Sequence, residues 1–568
     1  MEAIVKDMIY KAKEQARELV ANAMANAMEN GDLPKAEQPK FLIEIPADTS
    51  HGDFATNAAM AGAKAFRMAP VKIAQAIIDN MSFEGSVFEK AESAGPGFIN
   101  LFLDKLWFPA VVSSIVSLGS EYGRTDYGKG KKVMVEFVSA NPTGPMHMGN
   151  ARGGAMGDCL SAALDAAGYN VEREFYINDA GNQVEKFGIS LEARYLQIYK
   201  GEDNIEFPED GYHGDDIKVR AKEYADMHGD SLLNAESAER RAALVEYAMP
   251  KNIEKLREDL LTYRVEYNTW FHESDLHRDK TVDKVIGILT EKGLTYEKDD
   301  ALWYKASEFG CEKDEVLVRG NGYPTYFAVD IAYHYNKFVV RGFEKVINLW
   351  GADHHGHVAR LKGAMDAIGL SGDMLDIVLF QFVNLLKDGQ PYKMSKRTGK
   401  SITLADLVEE VPIDAARYFF NARDVGSTID FDMNLAVEQS NQNPVYYIQY
   451  AHARICSIFK KLEDEGIKLR ECSMDELALL SAPEEIELIR LLAKYPGEIV
   501  LTAESYDPTV LPHYVNNVAA MFHKFYNAHK VKLDDEKLMQ ARMTLCAATK
   551  TVIANVLALM KITAPERM

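Results

Sequence analysis

The stretch VMVEFVSANPTGPMHMGN, residues 133–150, decides the fold of this 568-residue chain. Its first six residues are mostly apolar and predict a buried strand, and the next seven contain two prolines and predict a turn. His147 and Gly149 then open a run of small residues that suits a closely packed helix, and residues 171–177 predict a second strand. This order indicates one βαβ unit of a Rossmann-type sheet, in which the helix N-terminus faces a ligand.

The start of that helix is suited to a nucleoside triphosphate. Unpaired backbone N–H groups and the positive end of the helix dipole attract phosphate. His147 could donate a hydrogen bond to an oxyanion, Gly149 lets a ligand approach closely, and the Asn150 amide could donate to a phosphate or ribose oxygen. Short strand-turn-helix patterns are common, so a helix start with a histidine of no special role stays open at this point.

A second motif lies 240 to 250 residues further along. Asp388 and Gly389 predict a turn after the apolar run 377–386, and Lys393-Met394-Ser395-Lys396 follows it. Two lysines three residues apart would stabilise the negative charge that builds up on departing pyrophosphate. A solvated basic loop is the alternative, and for this cluster alone it is the commoner outcome.

Composition limits the class of protein. A chain of this length with 47% apolar residues is too long for a single core, and its net charge of −21 argues against a general nucleic-acid coat while allowing a local basic groove. The five cysteines form no C-x-x-C pair, so neither structural zinc nor a disulfide framework is indicated, and a reducing cytosol fits. The N-terminus reads as an amphipathic helix rather than a targeting signal, and we expect no membrane span.

The pattern along the chain predicts a multidomain α/β protein. Residues 1–115 suggest a small α+β domain, and residues 116–404 a Rossmann-type parallel-sheet domain interrupted by a charged helical insertion at about 183–265. From residue 405 to 568 apolar residues recur at helical spacing, which predicts an all-α third domain.

The paired motifs at His147 and Lys393 to Lys396 resemble the two signatures of class I aminoacyl-tRNA synthetases, in the expected order and setting. Other stretches resemble the arginyl branch of that class and extend the match over nearly the whole chain. They are HGDFATN at 51–57, SANPTGP at 139–145, YINDAGNQ at 176–183, IDAARY at 413–418, QYAHAR at 449–454 and APERM at 564–568. One departure is Asn150, which stands where the class usually has a second histidine. Some arginyl enzymes lack the second signature and carry a lysine just ahead of the first, where this chain has Gly144.

The resemblance implies a set of site residues. Catalysis falls to His147, Asn150, Lys393 and Lys396, and ATP contacts also include Gly149, Met394 and Ser395. The implied arginine-binding residues are Glu136, Ser139, Asn141, Tyr326, Asp330 and His354. A guanidinium group is planar and carries several N–H donors, two of which can bind one carboxylate through paired hydrogen bonds. Glu136 and Asp330 are suited to this role because both are carboxylates. Without the resemblance, Glu136 would be read as the solvent side of an edge strand, and Tyr326 and Asp330 as ordinary helix packing.

The segment WGADHHGH, residues 350–357, follows another predicted strand and should line the same crevice. Its three histidines could bind metal, but position and resemblance favour a contact with adenylate or arginine, chiefly through His354, and we expect no protein-bound metal. In the third domain, Tyr447 and Tyr450 could stack on anticodon bases, with the terminal Met568 as a further contact. Tyrosines at helical spacing are more often core residues.

The implied activity is ligation of L-arginine to tRNA(Arg) with ATP and Mg²⁺, commonly only once tRNA is bound, by a cytoplasmic enzyme that we expect to be a monomer. The first domain would contact the tRNA elbow. Two alternatives stay open: another class I synthetase, although the spacing of the signatures leaves little room for a large editing insertion, and a catalytically silent paralogue.

Overall fold

The computed structural model describes residues 7–46, 48–392 and 402–568. Its N-terminal region packs helices against a four-stranded antiparallel sheet of order β1-β2-β4-β3. The first helix begins at the Asp7 side chain, which accepts a hydrogen bond from the Tyr10 N–H, and ends at Gly31 with a φ of 85°. The elements are α1 (Met8–Asn30), β1 (Ile43–Glu44), β2 (Phe54–Thr56), α2 (Ala58–Phe66), α3 (Pro70–Asp79), β3 (Phe88–Ala94) and β4 (Phe98–Leu103).

The central region is built on a five-stranded parallel sheet of order β12-β11-β5-β6-β7. The predicted unit is present, although its first strand ends at Glu136 rather than at residue 138. The elements are α4 (Trp107–Leu118), β5 (Lys132–Glu136), α5 (Gly149–Ala166), β6 (Asn170–Ile177), α6 (Asn182–Lys200), α7 (Asp215–His228), α8 (Ser237–Thr262), β7 (Thr269–His272), α9 (Glu273–Arg278), α10 (Thr281–Glu291), β8 (Thr295–Lys298), β9 (Ala301–Tyr304), β10 (Glu315–Val318), α11 (Tyr326–Tyr335), β11 (Lys345–Gly351), α12 (His355–Ile368) and β12 (Leu375–Phe380).

The order of the strands fixes where a ligand can bind. From β5 the chain adds β6 and β7 on one side, and it later adds β11 and β12 on the other. The direction of winding therefore reverses between β5 and β11, and the carboxyl ends of these two strands border a crevice. Strand β5 is central in the sheet and the Glu136 side chain is buried, so the edge-strand alternative for Glu136 is wrong.

Two features of the central region differ from simple alternation of strands and helices. Helices α6, α7 and α8 occupy the charged stretch between β6 and β7, and they pack on one another. Strands β8, β9 and β10 form a separate antiparallel sheet that the sequence pattern did not predict.

The C-terminal region is mainly helical. It follows a hairpin whose turn is Asp388 and Gly389, both with positive φ (54° and 71°), as predicted. Strand β15 pairs in parallel with β13, so the predicted helical pattern after residue 404 is interrupted by one short strand. The elements are β13 (Val383–Lys387), β14 (Gln390–Pro391), α13 (Leu404–Glu410), α14 (Ile413–Asn421), β15 (Ile429–Asp432), α15 (Met433–Val437), α16 (Pro444–Asp464), α17 (Met474–Leu477), α18 (Pro483–Ala493), α19 (Tyr495–Ser505), α20 (Val510–Ala528) and α21 (Glu536–Leu559).

Helix α5 lies at the junction of the central and C-terminal regions. Fourteen of its 18 residues are buried, and it packs against α14 and α19 as well as against the sheet. Its Asp158 pairs with Arg417 of α14 at 2.5 Å, and both side chains are excluded from water. Arg417 also donates to the carbonyl oxygens of Met560 and Tyr263, at 2.6 and 3.1 Å. The two regions therefore share one interior.

Helix α21 is long and apolar enough to cross a membrane by length and composition alone, and 56% of the relevant window is buried inside the protein. A core helix gives the same pattern. The expectation of no candidate span thus missed this helix.

Candidate active site

A cleft of about 550 Å³ opens at the reversal point of the sheet. It is bordered by the ends of β5, β11 and β12, the first turn of α5 and one face of α11. Most of the predicted site residues in the described part of the chain line this one cleft. They are Glu136, Ser139, His147, Gly149, Asn150, Asp330 and His354.

His147 lies just ahead of α5 with its ring turned back onto the helix start. The Gly149 N–H donates to His147 Nδ1 at 3.1 Å, so Nδ1 acts as an acceptor and the ring proton of the neutral form is on Nε2. Burial lowers the pKa of His147 below its usual value, which keeps the ring neutral at pH 7. The Nε2–H is therefore a hydrogen-bond donor at the N-terminus of a helix.

The predicted lysine clamp, Lys393 and Lys396 with Met394 and Ser395, lies outside the described residues. The chain immediately after it is anchored beside His147. The Met148 N–H donates to the Ile402 carbonyl at 3.0 Å, and the Leu404 N–H donates to the Met146 carbonyl at 2.9 Å. Residue 402 onward is thus fixed next to the helix start.

Glu136 is held by two donors at the end of β5. Lys337 Nζ lies 2.5 Å from Oε2, and the Ser139 hydroxyl donates to Oε1 at 2.9 Å. Lys337 is fully buried, and it also reaches Asn348 Oδ1 at 3.3 Å and the face of the Tyr333 ring at 4.0 Å. It comes from a π-helical turn, Asn336–Val340, that extends α11. π-turns are rare and carry no sequence signature that would have indicated Lys337.

Asp330 faces the same cleft from α11. Its Oδ2 accepts a hydrogen bond from His357 Nε2 at 2.8 Å. Tyr326, one turn earlier, is 45% exposed and does not line the main cleft. It borders an adjoining cavity of about 380 Å³ that Asp330 and His354 share. Asn141 is exposed and lines neither cavity, so the structure does not bring it together with the other predicted residues.

Glu273, which the sequence analysis missed, lines the adjoining cavity at the start of α9. The Tyr176 hydroxyl donates to its Oε2 at 2.6 Å. Burial, with smaller contributions from Asp330 and Asp179, raises the pKa of Glu273 to about 7. A glutamate just after a short strand looks like an ordinary helix start in sequence.

The three clustered histidines occupy different environments. His354 is exposed and lines the cleft, His355 is exposed, and His357 holds Asp330. Within residues 7–46, 48–392 and 402–568, no three His, Cys, Asp or Glu side chains are grouped as metal ligands would be.

The predicted tyrosines lie on the first turns of α16 and are half-buried. Tyr446 and Tyr450 stack with rings 6.4 Å apart and nearly parallel, and Tyr447 packs on His523 at 4.8 Å. Arg454 lies over Tyr450 at 5.2 Å. The chain terminus is tied to the same helix, because His452 Nδ1 bonds the Pro565 carbonyl at 2.9 Å, and the nearby Met568 is 52% exposed.

Comparisons with known proteins cover almost the whole chain and point to one family. Residues 14–103 match the family described as arginyl tRNA synthetase N terminal domain, residues 111–455 match the class I (R) tRNA synthetase catalytic domain, and residues 448–568 match the DALR anticodon binding domain. An arginine–tRNA ligase of Ruminiclostridium cellulolyticum is 56% identical over 564 residues, which cover 99% of this chain and 100% of that protein. One of Acetivibrio thermocellus is 55% identical over 562 residues, with the same coverage.

A solved structure supports the same fold. The arginyl-tRNA synthetase of Thermus thermophilus superposes with a TM-score of 0.70 at 22% identity, covering 97% of this chain and 100% of that one.

Proposed function

Because this chain belongs to the arginyl-tRNA synthetase family of class I and so catalyses ATP-dependent ligation of arginine to its tRNA through an adenylate, we propose that the described cleft is where both steps occur. The observation that carries this proposal is that the α5 N-terminus, a phosphate-attracting group, and the carboxylates Glu136 and Asp330 line one cavity. ATP and arginine can therefore be held side by side.

The first step needs no protein nucleophile. The arginine carboxylate oxygen attacks the α-phosphorus of ATP, the bond to the bridging oxygen breaks, and pyrophosphate leaves with that oxygen and its electron pair. Catalysis then rests on alignment and on stabilisation of charge. His147 Nε2–H and the Asn150 amide donate to phosphate oxygens, and Gly149 allows close approach of the nucleotide.

We assign the pyrophosphate clamp to Lys393 and Lys396, with Met394 and Ser395 beside the nucleotide. The anchoring of residues 402–404 to residues 146–148 supports this assignment, because it holds Ile402 next to the proposed phosphate site. Mg²⁺ would enter with the ATP phosphates as part of the substrate, since Mg²⁺ in nucleotide sites is commonly bound in part by substrate phosphates.

In the second step a terminal ribose hydroxyl of tRNA attacks the arginyl carbonyl carbon and loses its proton, and AMP leaves with the oxygen that joined it to the arginyl group. We place the arginine among Glu136, Ser139, Asp330, Tyr326 and His354, since these border the cleft or the cavity that adjoins it. Asn141 keeps a role only through its family resemblance.

For tRNA we propose that Tyr447, Tyr450 and Met568 contact the anticodon and that residues 1–115 contact the elbow. The central enzyme region would span 116–404 and the anticodon-binding region 405–568. The half-buried tyrosines beside Arg454 support the first assignment, because partly exposed aromatic rings and a cation suit stacking on unpaired bases. We further propose a cytoplasmic monomer.

The test is attachment of each labelled amino acid to total bacterial tRNA by the purified protein with ATP and Mg²⁺. Charging by arginine alone is expected. Charging by another amino acid would overturn the assignment of the carboxylates, and no charging by folded protein would indicate a silent paralogue. Light scattering of the same sample tests the monomer.

A further inference from the structure

Arg152 is a buried cation to which the assignments above give no role. It lies in the first turn of α5, three residues after Gly149, and its side chain is fully excluded from water. Within the part of the chain that the structure describes, its Nε–H has no acceptor and its guanidinium forms no salt bridge. Burial lowers the pKa of Arg152 to about 10, so the group stays charged at neutral pH. A charge buried in this way costs free energy, and stability alone does not explain its presence.

The guanidinium of Arg152 donates to four backbone carbonyl oxygens. Nη1 donates to those of Gln381 and Ser427, at 2.6 and 2.9 Å, and Nη2 donates to those of Asp424 and Val425, at 2.8 and 3.4 Å. Gln381 lies between β12 and β13, whereas the other three residues lie in the loop between α14 and β15. Hydrogen bonds from an ionised donor are about twice as strong as those between neutral groups. Arg152 therefore fastens both segments to the start of α5.

One of these segments is a wall of the cleft. Residues 380–383 line the cleft, as does the first turn of α5. The two walls pack closely, because a Cβ at Gly153 would lie 3.0 Å from the Phe380 ring. The Gln381 N–H donates to the Val425 carbonyl at 3.1 Å, so this wall is also tied to the loop that Arg152 holds. The hydrogen bonds of Arg152 thus set the separation of two walls of the proposed ATP site.

We propose that Arg152 is a positioning residue for the nucleotide, which holds residues 380–383 at a fixed distance from the phosphate-binding end of α5. This inference rests on the proposed placement of ATP in the cleft. An apolar side chain of similar volume would avoid the buried charge but would give up the hydrogen bonds that join the segments. Lysine would keep the charge, but its three donors sit on one nitrogen and do not match a planar fork that reaches two segments.

The effect of this positioning should be selective for ATP. Glu136 and Asp330, which are proposed to bind arginine, lie at the end of β5 and on α11, and Arg152 donates to neither of them. A shift of the 380–383 wall would misplace the nucleotide, and a displacement of about 1 Å can cost about 100-fold in rate. A role in stability alone would lower the amount of active enzyme and leave the KM values for both substrates unchanged.

The experiment is steady-state charging of tRNA with ATP and arginine varied in turn. For Arg152→Lys we expect the KM for ATP to rise about ten-fold or more and the KM for arginine to change by less than about two-fold. Arg417→Lys is the matched control, because Arg417 is equally buried and donates to the carbonyl oxygens of Met560 and Tyr263. This control should keep both KM values even where its thermal stability falls.

A second variant acts from outside the cleft and protects the test against a folding failure. The exposed Asp424 side chain accepts a hydrogen bond from the Gly426 N–H at 2.8 Å and so shapes the loop that Arg152 holds. Asp424→Ala should raise the KM for ATP by about two- to five-fold through that loop, because its side chain lines a different cavity from the cleft. Asp507→Ala is its control and should keep both KM values. Asp507 lines the same cavity and accepts from the Thr509 N–H at 3.0 Å, in a loop that Arg152 does not contact.

The outcomes separate this inference from the proposed function. A wild-type KM for ATP in a folded Arg152→Lys variant, or equal rises in the KM for both substrates, would overturn the inference. If Arg152→Lys does not fold, an unchanged KM for ATP in Asp424→Ala would overturn it, and a selective rise would support it. Failure of the wild type to charge arginine at all would instead overturn the proposed function.

Discussion

Lys337 and Glu136 form an ion pair that is almost wholly removed from water, with side-chain exposures of 0% and 7%. Burying two charges is costly, and such a pair rarely adds net stability compared with apolar residues. Its presence at the end of the central strand is better explained by function, because it fixes the orientation of a carboxylate at the proposed arginine site.

We expect Lys337→Met to destabilise the protein by about 3–5 kcal/mol, since it leaves Glu136 buried without its partner. The free energy of unfolding in urea, monitored by circular dichroism, measures this loss of stability. The double variant Lys337→Met with Glu136→Met should recover most of the loss. If the free energy of unfolding of the single variant is within ~1 kcal/mol of the wild-type value, water must stabilise the Glu136 carboxylate in place of Lys337.

The lysine clamp is tested by Lys396→Ala. We expect arginine-dependent exchange of pyrophosphate into ATP, measured with tRNA present, to fall by about 100-fold or more, because transition-state charge loses a stabilising partner. Lys313→Ala changes an exposed lysine outside the site and should leave the rate unchanged. Near-normal exchange in Lys396→Ala would contradict the assignment.

His147 is expected to act as a neutral donor. His147→Asn keeps a donor of similar reach, whereas His147→Ala removes it, so the rate of pyrophosphate exchange should fall further in the alanine variant, by about 10-fold or more. If both variants lose the same activity, the imidazole contributes something other than a hydrogen bond. The lowered pKa of His147 keeps its ring neutral from pH 7 to 8.5, so titration of His147 should not change the wild-type rate of pyrophosphate exchange over this range.

At the scale of the element, the packing of α5 requires glycine at a position where a side chain would clash with a neighbouring residue. A Cβ at Gly157 would lie 2.1 Å from the ring of Phe137, which follows β5. We expect Gly157→Ala to cost about 1–3 kcal/mol, because ring and helix must move apart. The free energy of unfolding in urea checks this value.

Gly287 in α10 is the matched control, since nothing lies within 4 Å of its added Cβ. There, Gly→Ala should raise stability by about 0.5–1 kcal/mol through helix propensity. Equal effects at the two glycines would show that packing at Gly157 adjusts without cost.

The elements that local pattern predicts are those whose partners are close in sequence. The β5-α5-β6 unit was legible because strand, turn and helix follow one another within 45 residues, 133–177. Strand β15 was missed because four residues form a strand only through pairing with β13, 46 positions earlier. Glu273 and Lys337 were missed for a related reason, since burial against distant elements, not local sequence, gives them a role.

At the scale of the whole molecule, three regions are joined by polar contacts, one of which is fully buried. Arg417 and Asp158 connect the C-terminal helices to α5. Arg490 of α18 pairs with Asp53 of the N-terminal region at 2.6 Å, and Asn555 of α21 donates to the carbonyl oxygens of Gly119 and Tyr122. The C-terminal helices therefore contact both other regions.

We expect a chain that ends at residue 404 to lose cooperative folding, because it would expose the α14 and α19 face of α5 and leave Asp158 without Arg417. Gel filtration and near-ultraviolet circular dichroism of residues 1–404 measure this. A monodisperse fragment with a sharp thermal transition would show that the central region is self-sufficient.

The shared interior around α5 also bears on how such proteins can recombine. A hybrid could join the first 404 residues of this chain to the C-terminal region of a relative. The two parts would then have to form one shared core, because neither has a complete core of its own. Its viability would depend on whether the donor supplies an arginine opposite Asp158 and small enough side chains facing α5. Descent with intact domain pairs, rather than exchange of single domains, is the history that this packing favours.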